Sequence, residues 1–350
     1  MTSSIRTGTK ISFVLVENFT MIAFASAIEV LRMANQLSGE QLYEWNTVSL
    51  DGQSVRASDA LSINVDGSME LASEAETVIV CGGVGVQQQC QPKMLNWLLH
   101  LDRQHITLGS LCTGSYILAK AGLLDGHPCA IHWEYMAGMQ EEFSAIHVSN
   151  KIFTISEKRM TCTGGTAPMD MMLQMINRQH GEKLSAAISQ MFICDRIRDS
   201  EEMQTLPLKS LVGASQPKLR EIIMLMEANL EETISMDEMA GYVDLSRRQL
   251  ERLFQKYLNY SPSRYYLHLR LNRAKQLLKQ TNLSIIEVSI ACGFVSTSHF
   301  SKCYRDYFGS PPKSERSAKF SASSHAPSPS NEPTYASVSL HEEVMVKSVI

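Results

Sequence analysis

No apolar run in this 350-residue chain approaches the roughly 18 residues that a membrane-crossing helix needs. Its first ten residues hold no hydrophobic segment of the kind that directs secretion, and they read as a frayed end. The eight cysteines nowhere form C-x-x-C, which argues against disulfides and a zinc site. Without an export signal they read as reduced, mostly buried thiols of a cytoplasmic protein. Gly82-Gly83-Val84-Gly85 lacks the spacing and the acidic partner of a dinucleotide fingerprint, so no cofactor and no metal is expected. An excess of positive charge is missing too: the net charge is −4, which taken alone argues against a nucleic-acid partner.

That average conceals a division. Residues 218–319 hold 16 Lys and Arg against 11 Asp and Glu, a net of +5, and the remainder carries −9. The basic end also contains one pattern twice, from Ser235 to Pro262 and from Ser284 to Pro311. Each copy opens on a capping box, Ser235 with Glu238 and Ser284 with Glu287, whose hydroxyl and carboxylate satisfy free helix-end N–H groups. Apolar residues at helical spacing follow, then a short turn and a second amphipathic helix. In the first copy that helix starts at Ser246, boxed with Gln249, and turns Leu250, Leu253, Phe254 and Tyr257 inward. Phe300, Cys303, Tyr304 and Tyr307 match them in the second. Two helices joined by a tight turn, repeated, predict tandem helix-turn-helix motifs at about 235–258 and 284–308.

The residues left outside those apolar stripes are Arg247, Arg248, Gln249, Glu251 and Arg252 in copy one, and Ser296, Thr297, Ser298, His299, Ser301, Lys302 and Arg305 in copy two. Donors and acceptors of this kind read base edges and phosphates in a major groove. Ordinary solvated helix faces look similar singly. The duplication of caps, turns and terminal Ser-Pro favours DNA.

This region resembles the DNA-binding domain of the AraC/XylS regulators. The matching motif is Gly293, Phe294, Ser298, Phe300, Ser301, Lys302, Tyr304, Arg305, Phe308, Gly309 and Pro311 or Pro312. The resemblance implies two recognition helices on one face of DNA, joined by a long helix at about 262–279.

The front half alternates strands with helices. Ile11 to Val16 and Thr77 to Cys81 are continuous apolar runs, as in strands buried on both faces. Further strands are expected at 45–50, 60–65, 106–111, 127–132, 146–148, 153–156 and 160–163, with helices from about 21, at 92–104, 114–121, 167–181 and 182–197. This predicts a doubly wound α/β domain with a mainly parallel sheet, whose ligands lie beyond the carboxyl ends of its strands. An all-α tandem helix-turn-helix domain follows it. The boundaries read as a disordered end 1–10, a sensor 11–198, a linker 199–217, a DNA-binding domain 218–318 and a disordered tail 319–350.

Leu111-Cys112-Thr113-Gly114 is the sharpest chemical candidate. A cysteine between a buried strand and a helix N-terminus would sit in an exposed turn with its thiolate favoured by the helix dipole. Gly82 and Gly83 end the neighbouring strand, where their N–H groups could line an oxyanion hole. Tyr43, Trp45 and Trp133 could wall a cationic ligand, although core packing is their more frequent role. Met169, Met171, Met172 and Met175 read as helix packing rather than as metal ligands.

The same half resembles the PfpI-type class I glutamine-amidotransferase-like domain, and more narrowly the sensor of GlxA-type AraC regulators. The matching residues are Glu29 on the first helix, Cys81-Gly82-Gly83, Cys112-Thr113-Gly114, His132-Trp133 and Thr163-Gly164-Gly165-Thr166 with Asp170. Two departures matter. Active PfpI-type members place a histidine after the cysteine, where this chain has Thr113. Ala23 stands where relatives place a glutamate. The resemblance therefore implies an effector pocket at Glu29, Gly82, Gly83, Cys112, Thr113, His132, Trp133 and Thr166, with no catalytic residue.

The whole reads as a sequence-specific, dimeric, cytoplasmic transcriptional regulator. The resemblance is closest to arginine-, glycine-betaine- and carnitine-responsive members, which implies an amino-acid-like or quaternary-amine effector. It also implies promoter DNA and RNA polymerase as partners, and activation of a catabolic operon. The alternatives are a cysteine hydrolase tethered to a DNA-binding domain and an architectural DNA binder without a ligand.

Overall fold

A computed structural model describes residues 8–156, 158–204, 216–258 and 260–315. The front half runs β1 (Thr9–Leu15), α1 (Met21–Ser38), β2 (Tyr43–Ser49), β3 (Val55–Arg56), β4 (Ser62–Ile63), β5 (Gly67–Ser68), β6 (Thr77–Cys81), α2 (Pro92–Arg103), β7 (Thr107–Leu111), α3 (Gly114–Lys120), β8 (Pro128–Ala130), α4 (Trp133–Glu142), β9 (His147–Ser149), β10 (Phe153–Ile155), β11 (Arg159–Cys162), α5 (Ala167–His180) and α6 (Glu182–Met191). Seven strands form one sheet in the order β10-β11-β7-β6-β1-β2-β5. Every pairing in it is parallel except the edge pair β10–β11.

The apolar runs explain why the sheet is covered on both faces. Side chains alternate along a strand. Ile11, Phe13 and Leu15 of β1, with Ile79 and Cys81 of β6, enter the core under α1, α5 and α6. Val14, Val78 and Val80 enter the opposite core under α2 and α3. Burying each such side chain contributes about 1.5–3 kcal/mol. The central strands end together at Leu15, Cys81 and Leu111, so the loops that follow them share one rim of the sheet.

Several sequence expectations shift. The strand at 60–65 shrinks to β4, which pairs only with the two residues of β3. The helix expected to reach 197 stops at Met191, and Ile193 takes a left-handed backbone, φ 57°. Residues 133–142 form a helix, α4, that periodicity did not reveal. Strand β1 begins at Thr9, inside the expected frayed end, whose first seven residues lie outside the described residues. Of the expected linker, 205–215 also lies outside them. Residues 199–204 lie on the sensor half: Ile152 N–H donates to Glu202 O at 2.8 Å and Gln204 N–H to Asn150 O at 2.9 Å. The expected tail lies outside the described residues.

The second half is all-α: α7 (Pro217–Ala228), α8 (Met236–Tyr242), α9 (Arg247–Leu258), α10 (Pro262–Gln280), α11 (Ile285–Ala291) and α12 (Thr297–Phe308). All three expected capping boxes form, at Ser235/Glu238, Ser246/Gln249 and Ser284/Glu287. The half has two small cores rather than one. Helix α10 feeds both, giving Tyr265, Tyr266 and Leu269 to the first and Leu271, Ala274, Leu277 and Leu278 to the second. Its 19 residues span about 28 Å.

Candidate DNA interface and effector turn

Helices α9 and α12 are the second helices of the two repeats. Leu250 and Phe254 anchor α9, and Phe300 and Tyr304 anchor α12; all four are fully buried. Tyr257, expected inward, instead lies at the surface, 38% exposed, where Gln216 donates to its hydroxyl at 2.7 Å. The opposite faces are open: Arg247, Arg248, Gln249, Glu251 and Arg252 are exposed, as are Ser296, Ser298, His299, Lys302 and Arg305. Thr297 and Ser301 are half-buried.

Not every one of these side chains is free to meet DNA. Gln249 accepts from Ser246 N–H at 2.7 Å, closing a capping box. Arg247 reaches both Asp237 and Glu251. Ser296 caps α12 by accepting from His299 N–H, Thr297 lies 3.3 Å from the Ser289 hydroxyl, and His299 lies 3.3 Å from the Cys303 sulfur. Arg248, Arg252, Lys302 and Arg305 remain as exposed cations on the two faces. Beside α9 runs a groove of ≈550 Å³ bordered by three cations, Lys218, Arg252 and Lys256. Positive charge along such a groove suits phosphate.

The cysteine turn lies on the rim where the central strands end. Cys112 follows β7 with φ 59°, a conformation that L side chains other than Asn and Asp rarely adopt. Three close approaches hold it there. A Cβ on Gly82 would lie 2.3 Å from Gly114 N, one on Gly114 would lie 2.2 Å from Val80 O, and one on Gly164 would lie 2.9 Å from the Cys112 sulfur.

The thiol is not the exposed nucleophile that the sequence suggested. Cys112 is 6% exposed, and burial pushes its thiol pKa up; the Thr20 hydroxyl and Thr113 backbone offset this only in part. Burial here outweighs the helix dipole. Cys112 lies close enough to act on Cys81 and Cys162, and burial raises both, Cys162 to about 12. Thr20 Oγ1 donates to the Cys112 sulfur at 3.4 Å, from the residue that precedes α1. Thr20 was not singled out from the sequence; its place one residue before an apolar helix was the available signal.

The remaining expected pocket residues divide. Thr113 is buried and donates to Gly83 O at 2.7 Å, which commits its hydroxyl. Gly82 N–H is spent on Leu111 O at 3.1 Å, so it lines no oxyanion hole. Glu29 faces away from such a role: it is 47% exposed and ion-paired with Arg32 at 2.7 Å on the same helix. Thr166 is exposed and accepts from Arg198 at 2.7 Å, while Arg198 also clamps the buried Asp170 at 2.6 and 3.0 Å. His132 caps α4, its Nδ1 accepting from Glu134 N–H, and burial lowers its pKa despite Glu134. Trp133 tilts against it, ring centroids 5.5 Å apart. The next two residues of α4 lie within electrostatic range of the turn: the Glu134 carboxylate raises the Cys112 thiol, and Cys112 raises Tyr135. The aromatic wall does not assemble. Tyr43 sits at the opposite end of the sheet, fully buried, its hydroxyl bonded to Gln179. The methionines of α5 pack as expected.

Comparison with known proteins agrees with both halves. The DJ-1/PfpI family model matches residues 9–178, and a helix-turn-helix domain model matches residues 239–318. The chain is 59% identical over 311 residues to the HTH-type transcriptional regulator GbdR of Pseudomonas aeruginosa, covering 89% of this chain and 85% of that protein. It is 33% identical over 318 residues to the HTH-type transcriptional regulator GlxA of Rhizobium meliloti, covering 90% and 97%. The crystal structure of an AraC family transcriptional regulator from Pseudomonas putida superposes with a TM-score of 0.50 at 27% identity, over 53% of this chain and 99% of that one. A doubly wound DJ-1/PfpI half joined to paired recognition helices, and full-length likeness to named regulators, lead to one conclusion: the chain belongs to the AraC-type HTH transcriptional regulators that carry a DJ-1/PfpI domain ahead of their DNA-binding helices.

Proposed function

We propose that this regulator, a cytoplasmic homodimer, activates a catabolic operon through RNA polymerase when a small amino-acid-like or quaternary-amine metabolite binds at the Cys112 turn. One observation carries the choice of site. A buried thiol is held in a strained left-handed turn at the carboxyl rim of a parallel sheet, and strain of that kind persists where function requires it. Glu134, whose charge reaches the Cys112 thiol, and Trp133, which lies against the same His132, offer what a cationic amine favours, a negative charge and an aromatic face. On the DNA side, Arg248 and Arg252 of α9 and Ser298, Lys302 and Arg305 of α12 make the contacts.

The thiol is not a catalyst in this reading. Its raised pKa leaves it neutral at pH 7, and Thr113 stands where a base would be needed, with its hydroxyl already committed. Titration calorimetry of the full-length protein with arginine, glycine betaine and carnitine tests the proposal. Saturable binding that Cys112→Leu abolishes supports it, and no binding by any of the three removes the effector class. Consumption of the bound compound, followed by NMR, would replace the sensor with a hydrolase.

A further inference from the structure

Helix α4 touches both halves of the molecule. The strand that leads into it is bonded to the cysteine turn, Ser115 at the start of α3 donating to Ala130 O at 2.7 Å, and Glu134 and Tyr135 of its first turn lie within electrostatic range of the Cys112 thiol. Its second half lies on the DNA-binding half. Ala137 joins the core beneath α11 and α12. Glu141 pairs with Arg273 of α10, both side chains largely buried at 24% and 18% exposure. Gln280, at the end of α10, donates to Glu134 O at 2.6 Å and accepts from Gln87 at 3.4 Å through its own carbonyl. Helix α10 is the rod that separates the two recognition helices.

The seam is close-fitting but incompletely satisfied. A Cβ on Gly138 would lie 2.9 Å from Gln280 Oε1 and 3.2 Å from Gln280 Cβ. Among the described residues, Arg273 Nε and Gln280 Oε1 are buried without a hydrogen-bond partner. Opening the seam returns both atoms to water, which favours an open state that a permanent interface would not have.

We propose that α4 is a latch: docked on α10 it restrains the second recognition unit, and a ligand at the Cys112 turn displaces its first turn and frees that unit for DNA. The proposal rests on the effector reading above. A ligand shifts this equilibrium only by its differential affinity for the two arrangements, and α4 connects the rim of the sheet to the α10 seam.

The test uses full-length protein and a duplex that the wild type selects from a randomised pool. Gly138→Ala adds a methyl against Gln280, leaves charge unchanged and favours helix α4 itself, so undocking is separated from unfolding. Glu141→Gln removes the buried ion pair. Each variant should tighten ligand-free DNA binding by roughly 5-fold or more, the lower end of ordinary allosteric coupling, and should shrink the further gain on adding glycine betaine. If the variants bind more tightly while glycine betaine leaves wild type unmoved, the latch stands and the effector class falls. If glycine betaine tightens wild type while both variants keep its ligand-free affinity and full response, the latch is overturned. Amide exchange along 262–280 gives a readout without DNA: both variants should lose protection in its C-terminal half, and unchanged protection also overturns the proposal.

Discussion

Asp244 and Gly293 occupy the same place in the two helix-turn-helix repeats, and both have left-handed backbones, φ 50° and 71°. They differ in what surrounds them. A Cβ on Gly293 would lie 2.6 Å from Leu230 O and 2.7 Å from Glu231 O, so Gly293→Ala adds a clash to the 1–2 kcal/mol of left-handed strain and should cost about 2 kcal/mol or more. Asp244→Gly should stay within about 1 kcal/mol of wild type, because glycine relieves the strain. Urea denaturation of both variants decides; equal losses would refute the distinction.

On α9, Arg248 and Gln249 are neighbours with different tasks. Arg248→Ala should weaken binding to the selected duplex by about 1–3 kcal/mol while leaving stability alone. Gln249→Ala opens a capping box and should cost about 0.5–1 kcal/mol of stability. Gel shifts paired with thermal melts separate the two, and a stable but DNA-blind Gln249→Ala protein would reverse the assignment.

The buried thiols set an alkaline limit. Folding raises Cys112 above its usual 9.0, Cys162 and Cys129 to about 12, and Cys90 to about 11. The unfolded chain releases these protons first, so their contribution is complete below about pH 9 and is lost as pH rises toward 12. Stability by urea titration should fall steadily above pH 9, and Cys112→Ala should soften the fall. Iodoacetamide should leave Cys112 unlabelled at pH 7.5 in the native protein; rapid labelling there would contradict the buried neutral thiol.

His132 behaves in the opposite sense. Its folded pKa lies below the usual 6.5, so the unfolded chain takes up the proton first on acidification. The stability it contributes is present above pH 6.5 and is lost as pH falls through the lowered value. Protonation also removes the Nδ1 acceptor that caps α4. His132→Asn keeps a cap acceptor and should flatten the stability profile between pH 7 and 5, whereas His132→Ala should cost about 0.5–1 kcal/mol at pH 7. An unchanged profile for His132→Asn would refute the cap as the source.

The sheet and both repeats were legible because their signals are local. Thr77–Cys81 is apolar after its first residue and emerges as β6 with the same bounds, and the two Ser-x-x-Glu boxes form as read. Helix α4 was not legible. Its N-cap is a histidine, and its apolar residues serve separate partners, with Met139 in the sensor core and Ala137 in the DNA-binding core, so no single stripe marks it. The cysteine turn was legible as a turn, but its burial was not, because Thr20 and Gly164 cover it from distant parts of the chain. Tyr257 was read inward from spacing alone, and the end of α9 leaves it at the surface. Glu29 shows the limit of motif matching, since a neighbouring arginine takes up its carboxylate.

The two separate cores of the DNA-binding half make its grip divisible. Among the described residues, the Glu141 ion pair, the Gln280 hydrogen bonds and Ala137 all reach the C-terminal part of α10 or the core beyond it. The front repeat is thus tethered to its neighbour by one helical strut and not held by these contacts. If the proposed latch acts there, the first repeat can hold its half of the promoter while the second is restrained, so the footprint should lengthen, rather than appear, when the signal arrives.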